Sequence, residues 1–268
     1  MTSGLAHTRA WKRPPLIANP WLRWALYIGG LLYLAAALSS LQVNWTRVSE
    51  GLAQGWVFIE GFLVPDFVTR SRDIWRGMEE SLTMTVTSTI VGCLISIPIG
   101  LGAARNIAPL PVYAVCRAII ALSRAFQEVI IAILFVAMFG FGPFAGFLTL
   151  SFATLGFMAK LLAEDIEDIS EAQAEAIRAT GATWWQVINY GIQPQVMPRL
   201  VGLSLYRLDI NFRESAVIGI VGAGGIGATL NTAMQRYDYD TAGAILIMII
   251  VIVLMAEYAS SHIRKWVQ

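Results

Sequence analysis

Long apolar runs constrain this chain more than any other feature. Residues 22–41, for example, contain a single charged side chain, Arg23. A helix of about 20 such residues crosses a bilayer, whereas a soluble domain has no need of repeated runs of this length. The sequence therefore predicts an all-α polytopic membrane protein, with one domain over residues 1–268. Its six expected spans cover residues 22–41, 81–104, 112–140, 143–163, 196–222 and 241–261.

Composition excludes several other classes of protein. Only 14% of the residues are charged, against about 25% in an ordinary soluble domain, which argues against a soluble enzyme. The formal net charge of +1 offers no field for nucleic acid. Cys93 and Cys116 lie inside apolar segments without metal-binding spacing, so we expect two unreactive thiols.

The first span has two readings. Small residues near Ala37 resemble a processing site, which leaves a cleaved signal peptide as an alternative to a spanning helix. The apolar stretch exceeds the 7–15 residues typical of a signal peptide. Trp21 and Trp24 precede the stretch and Trp45 follows it, at positions where indoles prefer the headgroup layer. These features favour a spanning helix.

Charge placement predicts the orientation. Six spans place both termini in the cytoplasm of a protein of the inner (plasma) membrane, and the basic residues follow the positive-inside bias. The stretch 42–80 is too polar to span and becomes an external loop, with an interfacial helix that ends at Pro65. The cations assigned to the cytoplasm are Arg9, Lys12, Arg13, Arg105, Lys160, Arg178, Arg199, Arg264 and Lys265.

The most polar cytoplasmic stretch, residues 164–194, is called the polar loop here. Strong helix formers occupy residues 171–180, with Ser170 as a possible N-cap and Gly181 as a helix stop. Pro194 precedes the next span. The pattern predicts a helix, a glycine turn and a second short helix.

The polar loop resembles the EAA loop of ABC-importer permeases. Glu175, Ala176, Gly181 and Pro194 match that signature in register, while Ile177, Gly191 and Gln193 depart from it. The resemblance implies a coupling helix that rests in a cleft of a cytoplasmic ATPase, with Glu175, Ala176, Arg178, Gly181 and Pro194 as coupling residues. The alternative is a solvated helix-turn whose glutamates only confer solubility.

A narrower resemblance concerns residues 139–148, 178–198 and 213–230, which look like permeases of phosphonate-type ABC importers. This similarity spans roughly residues 66–265 and implies the type I importer fold and transport of phosphonate, phosphite or phosphate by alternating access. It implies as partners a second copy of the chain, a cytoplasmic ABC ATPase dimer, an external solute-binding protein and membrane lipid. The chain contains no GxxxxGK[ST] motif, so ATP and Mg would belong to the ATPase, and the chain would bind no cofactor.

Residues 222–227, called the glycine block here, formally match G-x-G-x-x-G through Gly222, Gly224, Gly225 and Gly227. A dinucleotide site requires a strand before this motif inside a βαβ unit, and the surroundings are a membrane span. We therefore expect a tight external turn or a closely packed gate segment.

Ionisable residues inside spans usually face a bundle interior or a water-filled path. One hypothesis is that Arg124, Glu128, Arg207, Asn211 and Arg213 line the path of a small oxyanion, because the arginine fork suits tetrahedral oxygens. The alternative is structural pairing within a continuous helix, Arg124 with Glu128 and Asp209 with Arg213, each at i,i+4.

Other kinds of transport stay open. An ABC permease for an amino acid such as methionine would share the polar loop. A stand-alone ion-coupled transporter could use Glu128 and Asp209 as proton relays, but would leave residues 171–194 without a task. A non-transporting scaffold offers no reason for charged stripes inside the membrane.

Overall fold

The computed structural model describes residues 17, 19–41 and 44–267, without the side chains of residues 53, 57, 58 and 263–267. The predicted cytoplasmic residues Arg9, Lys12 and Arg13 lie outside the described residues. The chain divides into two compact units, Met1–Val57 and Phe58–Gln268. Its elements are α1 (Pro20–Ser40), α2 (Trp45–Phe62), α3 (Ser71–Gly102), α4 (Leu110–Ala125), α5 (Glu128–Phe139), α6 (Pro143–Glu167), α7 (Glu171–Ala179), α8 (Trp184–Gln186), a π-helical segment (Val187–Ile192), α9 (Gln193–Ile220), α10 (Ile226–Gln235) and α11 (Tyr239–Val267).

The first unit contains α1, which begins after an Asn19 cap. The Asn19 side chain accepts a hydrogen bond from the Trp21 N–H, and Pro20 occupies the first turn, where its missing donor costs nothing. None of the residues of α1 is buried. An apolar helix of 21 residues without internal contacts fits the predicted spanning helix.

The second unit is built on the pair α3 and α6, which approach closely at small residues. A Cβ at Gly92 would lie 2.5 Å from Thr154 Cβ, and one at Gly100 would lie 2.8 Å from Leu162 Cδ2. Ser81, Ser88 and Ser96 of α3 are fully buried. Small residues at such contacts let membrane helices pack closely.

Helix α3 begins ten residues before the expected span. The segment 71–80, which was expected in the external loop, is helical, and its place relative to the membrane stays a prediction. Its charged residues occupy one face of the helix, so the mean polarity of the segment conceals an amphipathic pattern. The opposite face is buried at helical spacing through Ile74, Gly77, Met78 and Ser81.

The expected third span, 112–140, is not one continuous helix. It consists of α4 and α5, which bend by 93° at Phe126 and Gln127. Both of these residues have extended backbone, with ψ values of 142° and 145°. The continuous helix expected through Arg124 and Glu128 is therefore interrupted before Glu128.

Four helices among the described residues are long and apolar enough to cross a membrane, namely α1, α3, α6 and α11. The bent pair α4 and α5 makes a fifth if it is counted as one span. Helix α9, the expected span 196–222, is not among them. Its five charged residues, Arg199, Arg207, Asp209, Arg213 and Glu214, lower its mean hydropathy.

Candidate functional site

A buried polar cluster joins α3, α6 and α9 halfway along these helices. Asn211 of α9 is fully buried, and its Nδ2 donates to the hydroxyl of Thr89 on α3 at 2.8 Å and to that of Thr154 on α6 at 2.9 Å. Polar side chains that bond across helices hold membrane bundles together. Asn211 thus connects three helices.

Arg207 lies in the same cluster and is 3% exposed. Its Nη2 lies 3.3 Å from Glu214 Oε2, and its Nε donates to the Thr154 hydroxyl at 3.2 Å. The guanidinium carbon also stands 5.3 Å from the ring centroid of Phe157. The structure therefore places Arg207, like Asn211, between packed helices; their predicted role in a path stays a prediction.

Arg207 lies about two helical turns before Arg213 on α9. The environments of the two side chains differ. Arg213 pairs with Asp209, as expected for an i,i+4 pair, and its side chain is 53% exposed. Val217 and Ile220 follow on the same face at i+4 and i+7, each about half exposed. This open side of α9 carries a charge seven residues before the end of the helix and apolar residues beyond it.

The predicted ion pair between Arg124 and Glu128 is wrong. Arg124 ends α4, Glu128 begins α5, and the bend between them removes the i,i+4 relation. Arg124 is exposed and has no ion-pair partner in the part of the chain that the structure describes. Glu128, partly buried, lies at a helix N-terminus, where a carboxylate is favoured.

The glycine block links α9 to α10, and a helix, not a strand, precedes it. Gly222, Gly224 and Gly225 have φ values of +95°, +78° and +74°, in the left-handed region that favours glycine. Gly227 lies inside α10, where a Cβ would stand 1.9 Å from the Ala216 carbonyl oxygen. The block is a tight turn followed by a close helix contact, and its role as a gate stays a prediction.

Two side chains of α3 hold this turn. The Gly225 N–H donates to Glu80 Oε2 at 3.2 Å, and the Ile226 N–H donates to Ser81 Oγ at 2.9 Å. Arg76 in turn pairs with Glu80. Glu80 and Ser81 thus satisfy the first free N–H groups of α10. Nothing local in the sequence indicates this contact, because the partners lie 145 positions apart.

The polar loop folds as predicted into a helix, a turn and a short second helix. Gly181 follows α7 with a φ of +80°, and α8 starts with a capping box in which Thr183 and Gln186 bond reciprocally. Ser170 takes the N-cap position, but its side chain makes no capping bond. The predicted coupling residues Glu175, Ala176, Arg178, Gly181 and Pro194 are all exposed.

No pattern in the sequence predicted the π-helical segment at residues 187–192. Gly191 of this segment packs on α7, where its Cβ would stand 3.2 Å from Ala174 Cα, and Ala174 is 4% exposed. The loop also bonds to the α3–α4 link, since Trp184 Nε1 donates to the Ile107 carbonyl at 3.4 Å. Helix α7 therefore has one anchored face and one open face.

Comparison with known proteins assigns the chain to a family. Residues 96–267 match the model of the binding-protein-dependent transport system inner membrane component. The chain belongs to this family. It is a permease component of an ABC importer and not an enzyme, and it is a multi-pass membrane protein.

Several relatives of the permease are named for phosphite or phosphate transport. It is 39% identical to the phosphite transport system permease protein PtxC of Stutzerimonas stutzeri, over 88% of this chain and 86% of that protein. It is 35% identical to a putative phosphite permease protein, HtxC, of the same organism, over 87% and 83%. It is 41% identical to the phosphate-import permease protein PhnE of Mycolicibacterium smegmatis over 78% of this chain, but spans only 41% of that protein.

Solved structures establish the fold of the permease as that of a type I ABC importer. One chain of the inward-facing MetNI methionine ABC transporter matches with a TM-score of 0.63 and 26% identity, over 74% of this chain and 95% of that chain. A bacterial alginate importer matches with a TM-score of 0.56 over 91% of this chain and 96% of its own, and at 19% identity it supports the fold alone.

Proposed function

We propose that this permease imports a small phosphorus oxyanion, namely phosphite, a phosphonate or phosphate. The observation that supports the proposal is the similarity, at 35–39% identity over 87–88% of the chain, to two permeases of phosphite transport systems. The methionine permease of Vibrio cholerae is 26% identical over 66% of the chain, a weaker likeness. Import of methionine is therefore the second candidate.

Two open arginines suit an anion path. Arg124 has no ion-pair partner among the described residues, and Arg213 is half exposed although it touches Asp209. Charged side chains at this depth are costly against lipid, so their faces need water or a second protein chain. We assign Arg124 and Arg213 to the path, with Glu128 beside it, and we assign Arg207 and Asn211 to the packing of the helices.

The second wall of the path would come from a second copy of the permease. An external solute-binding protein would deliver the oxyanion, and a cytoplasmic ABC ATPase dimer would bind and hydrolyse MgATP. The exposed face of α7, with Glu175, Ala176 and Arg178, would contact that ATPase. This arrangement puts the polar loop and both chain termini in the cytoplasm, and the glycine block on the outer side.

Transport by reconstituted vesicles tests this proposal. The permease, together with the ATPase and binding protein encoded beside it, should take up phosphite, methylphosphonate or phosphate when MgATP is supplied on the cytoplasmic side. A non-hydrolysable ATP analogue is the control and should give no uptake. Uptake of methionine alone would favour the second candidate, and uptake driven by a proton gradient without ATP would contradict both.

Arg124→Gln and Arg213→Gln variants test the path assignment in the same vesicles. Each should lower oxyanion uptake by at least about tenfold, roughly the loss of one charge-assisted hydrogen bond, while the complex still assembles. Arg199→Gln is the matched control, because Arg199 is exposed and pairs with Asp165 near the N-terminal end of α9. If all three variants take up the oxyanion equally well, Arg124 and Arg213 do not line the path.

A further inference from the structure

The α5–α6 turn carries a phenylalanine that is open to its surroundings. Phe141 is 86% exposed and stands between Gly140 and Gly142, whose φ values of +89° and +138° favour glycine. Its neighbours Phe139 and Phe144 pack edge to face at 5.7 Å, whereas Phe141 has no aromatic partner in the described part of the chain. Phe141 therefore projects from the turn as a single apolar ring.

Phe141 covers the glycine block. A Cβ at Gly222 would stand 2.3 Å from Phe141 Cδ1, so only glycine leaves room for the ring at this position. The Gly142 N–H donates to the Gly222 carbonyl at 3.0 Å, and this bond joins the two turns. A Cβ at Gly224 would likewise meet Pro143 N at 2.6 Å. The ring is thus held over the C-terminal end of α9.

The open side of α9 leads to this ring. Arg213 lies seven residues before the end of the helix, and Val217 and Ile220 continue its face toward Gly222. A depression of about 450 Å³ adjoins the end of this stripe and is lined by Phe141, Ile220, Gly222 and Asn231, among others. The exposed side chains of α9 therefore change from charged to apolar along this face, and Glu80, Asn231 and Thr232 also line the depression at its end.

The open side of α9 requires a second protein chain packed against it. The same face carries Arg213, seven residues before the end of α9, and an arginine within a membrane helix usually faces protein or water, not hydrocarbon. Phe141 at the end of the face is therefore expected to meet the second copy of the permease across the path, not lipid.

We propose that Phe141 is the apolar barrier that closes the glycine-block end of the path, where it meets the same ring of the second copy. A narrow apolar constriction loses the water inside it and therefore stops ions. An oxyanion would have to give up its hydration shell to cross such a constriction. Arg124 and Arg213 would hold the anion on the inner side of this barrier. The inference rests on the proposed oxyanion path and adds the residue that seals it.

Passive leak through the ATPase-bound permease tests the barrier. Vesicles loaded with radiolabelled inorganic phosphate are followed without ATP and without binding protein. Phe141→Ala should raise phosphate efflux by about tenfold or more, since each factor of ten corresponds to roughly 1.4 kcal/mol of barrier. Phe141→Leu keeps apolar bulk and should stay sealed. Phe144→Ala is the matched control, because Phe144 is also exposed but packs on Phe139.

The barrier proposal is wrong if the Phe141→Ala and Phe144→Ala complexes release phosphate at equal rates. Size-exclusion chromatography must show that both complexes are intact. Wild-type uptake with ATP is measured in the same preparation. If the wild-type complex takes up no oxyanion, the proposed substrate is wrong. If the wild-type complex transports oxyanion but the Phe141→Ala variant does not leak phosphate, only the barrier proposal is wrong.

Cross-linking gives a second measurement that does not depend on transport. In a background in which Cys93 and Cys116 are replaced, Phe141→Cys should form a disulfide between two copies in the resting complex under mild oxidation. Phe144→Cys should not. No cross-link at residue 141, either at rest or with a trapped ATP analogue, would overturn the contact between the two rings.

Discussion

At Gly225, as at Gly222 and Gly224, backbone and packing both depend on the absence of a side chain. The φ of Gly225 is +74°, and a Cβ would stand 2.5 Å from Ser81 Oγ, the atom that accepts the Ile226 N–H. A substitution therefore strains the turn and displaces the hydroxyl that holds α10. Gly202 differs from Gly225 in both backbone and packing. It lies in helix α9, and no atom lies within 4 Å of an added Cβ.

Gly225→Ala should therefore destabilise the permease by more than about 2 kcal/mol, from left-handed backbone strain of roughly 1–2 kcal/mol and the displaced Ser81. Gly202→Ala should be neutral or stabilise by up to about 1 kcal/mol, because alanine is the better helix former. Thermal unfolding of the purified complex in detergent measures both. Equal melting temperatures would show that the turn tolerates a side chain.

Residue types were easier to predict from the sequence than their partners. The unusual charges of α9 were visible, and the i,i+4 spacing correctly paired Asp209 with Arg213. The same spacing failed for Arg124 and Glu128, because a bend of 93° separates them. The contacts of Asn211 with Thr89 and Thr154 cross 122 and 57 positions, so no local pattern reveals them.

At the level of elements, local signals predicted the polar loop well. Helix formers, Gly181 and the following prolines mark its parts, and the structure has a helix, a turn and a second helix there. The π-helical segment and the early start of α3 were missed. Both depend on contacts with distant elements, Gly191 with α7 and Gly77 with α10, which a sequence window does not contain.

Helix α7 depends on one small residue for its position. Ala174 faces Gly191 of the π-helical segment, and Ala172 on the other side of the helix is exposed. Ala174→Leu should push α7 away from its support and lower ATP-driven uptake by about tenfold, because overpacking costs typically 1–3 kcal/mol. Ala174→Ser adds little volume at the same position and should keep most of the uptake.

The ratio of ATP hydrolysed to oxyanion taken up measures this effect. The Ala174→Leu complex should hydrolyse ATP with little uptake, since a displaced α7 transmits movement poorly. If the Ala174→Leu complex transports like the wild type, the position of α7 does not control coupling.

At the scale of the whole molecule, the elements sort to two ends. The polar loop bonds to the α3–α4 link, while the glycine block bonds to the start of α3 and to the α5–α6 turn. The fold class followed from apolar runs and family-like motifs in the sequence. The number of spans stays a prediction, because α9 carries five charged residues and is not among the described helices that are long and apolar enough to cross a membrane.

Labelling of single cysteines tests the proposed orientation. In the background without native cysteines, Ala179→Cys at the end of α7 should react with a membrane-impermeant maleimide only in inside-out vesicles. Val68→Cys, which is 82% exposed in the α2–α3 link, should react only in intact cells or right-side-out vesicles. The reverse pattern would place the polar loop outside and exclude its contact with a cytoplasmic ATPase.

The hydrogen bonds from Gly225 and Ile226 to α3 also bear on how the chain is made. Synthesis delivers Glu80 and Ser81 to the bilayer long before residues 225 and 226 leave the ribosome, at about 5–20 residues per second. During that interval the two side chains need water or a temporary protein neighbour. Assembly of this corner therefore finishes only after the chain has been made through residues 225 and 226.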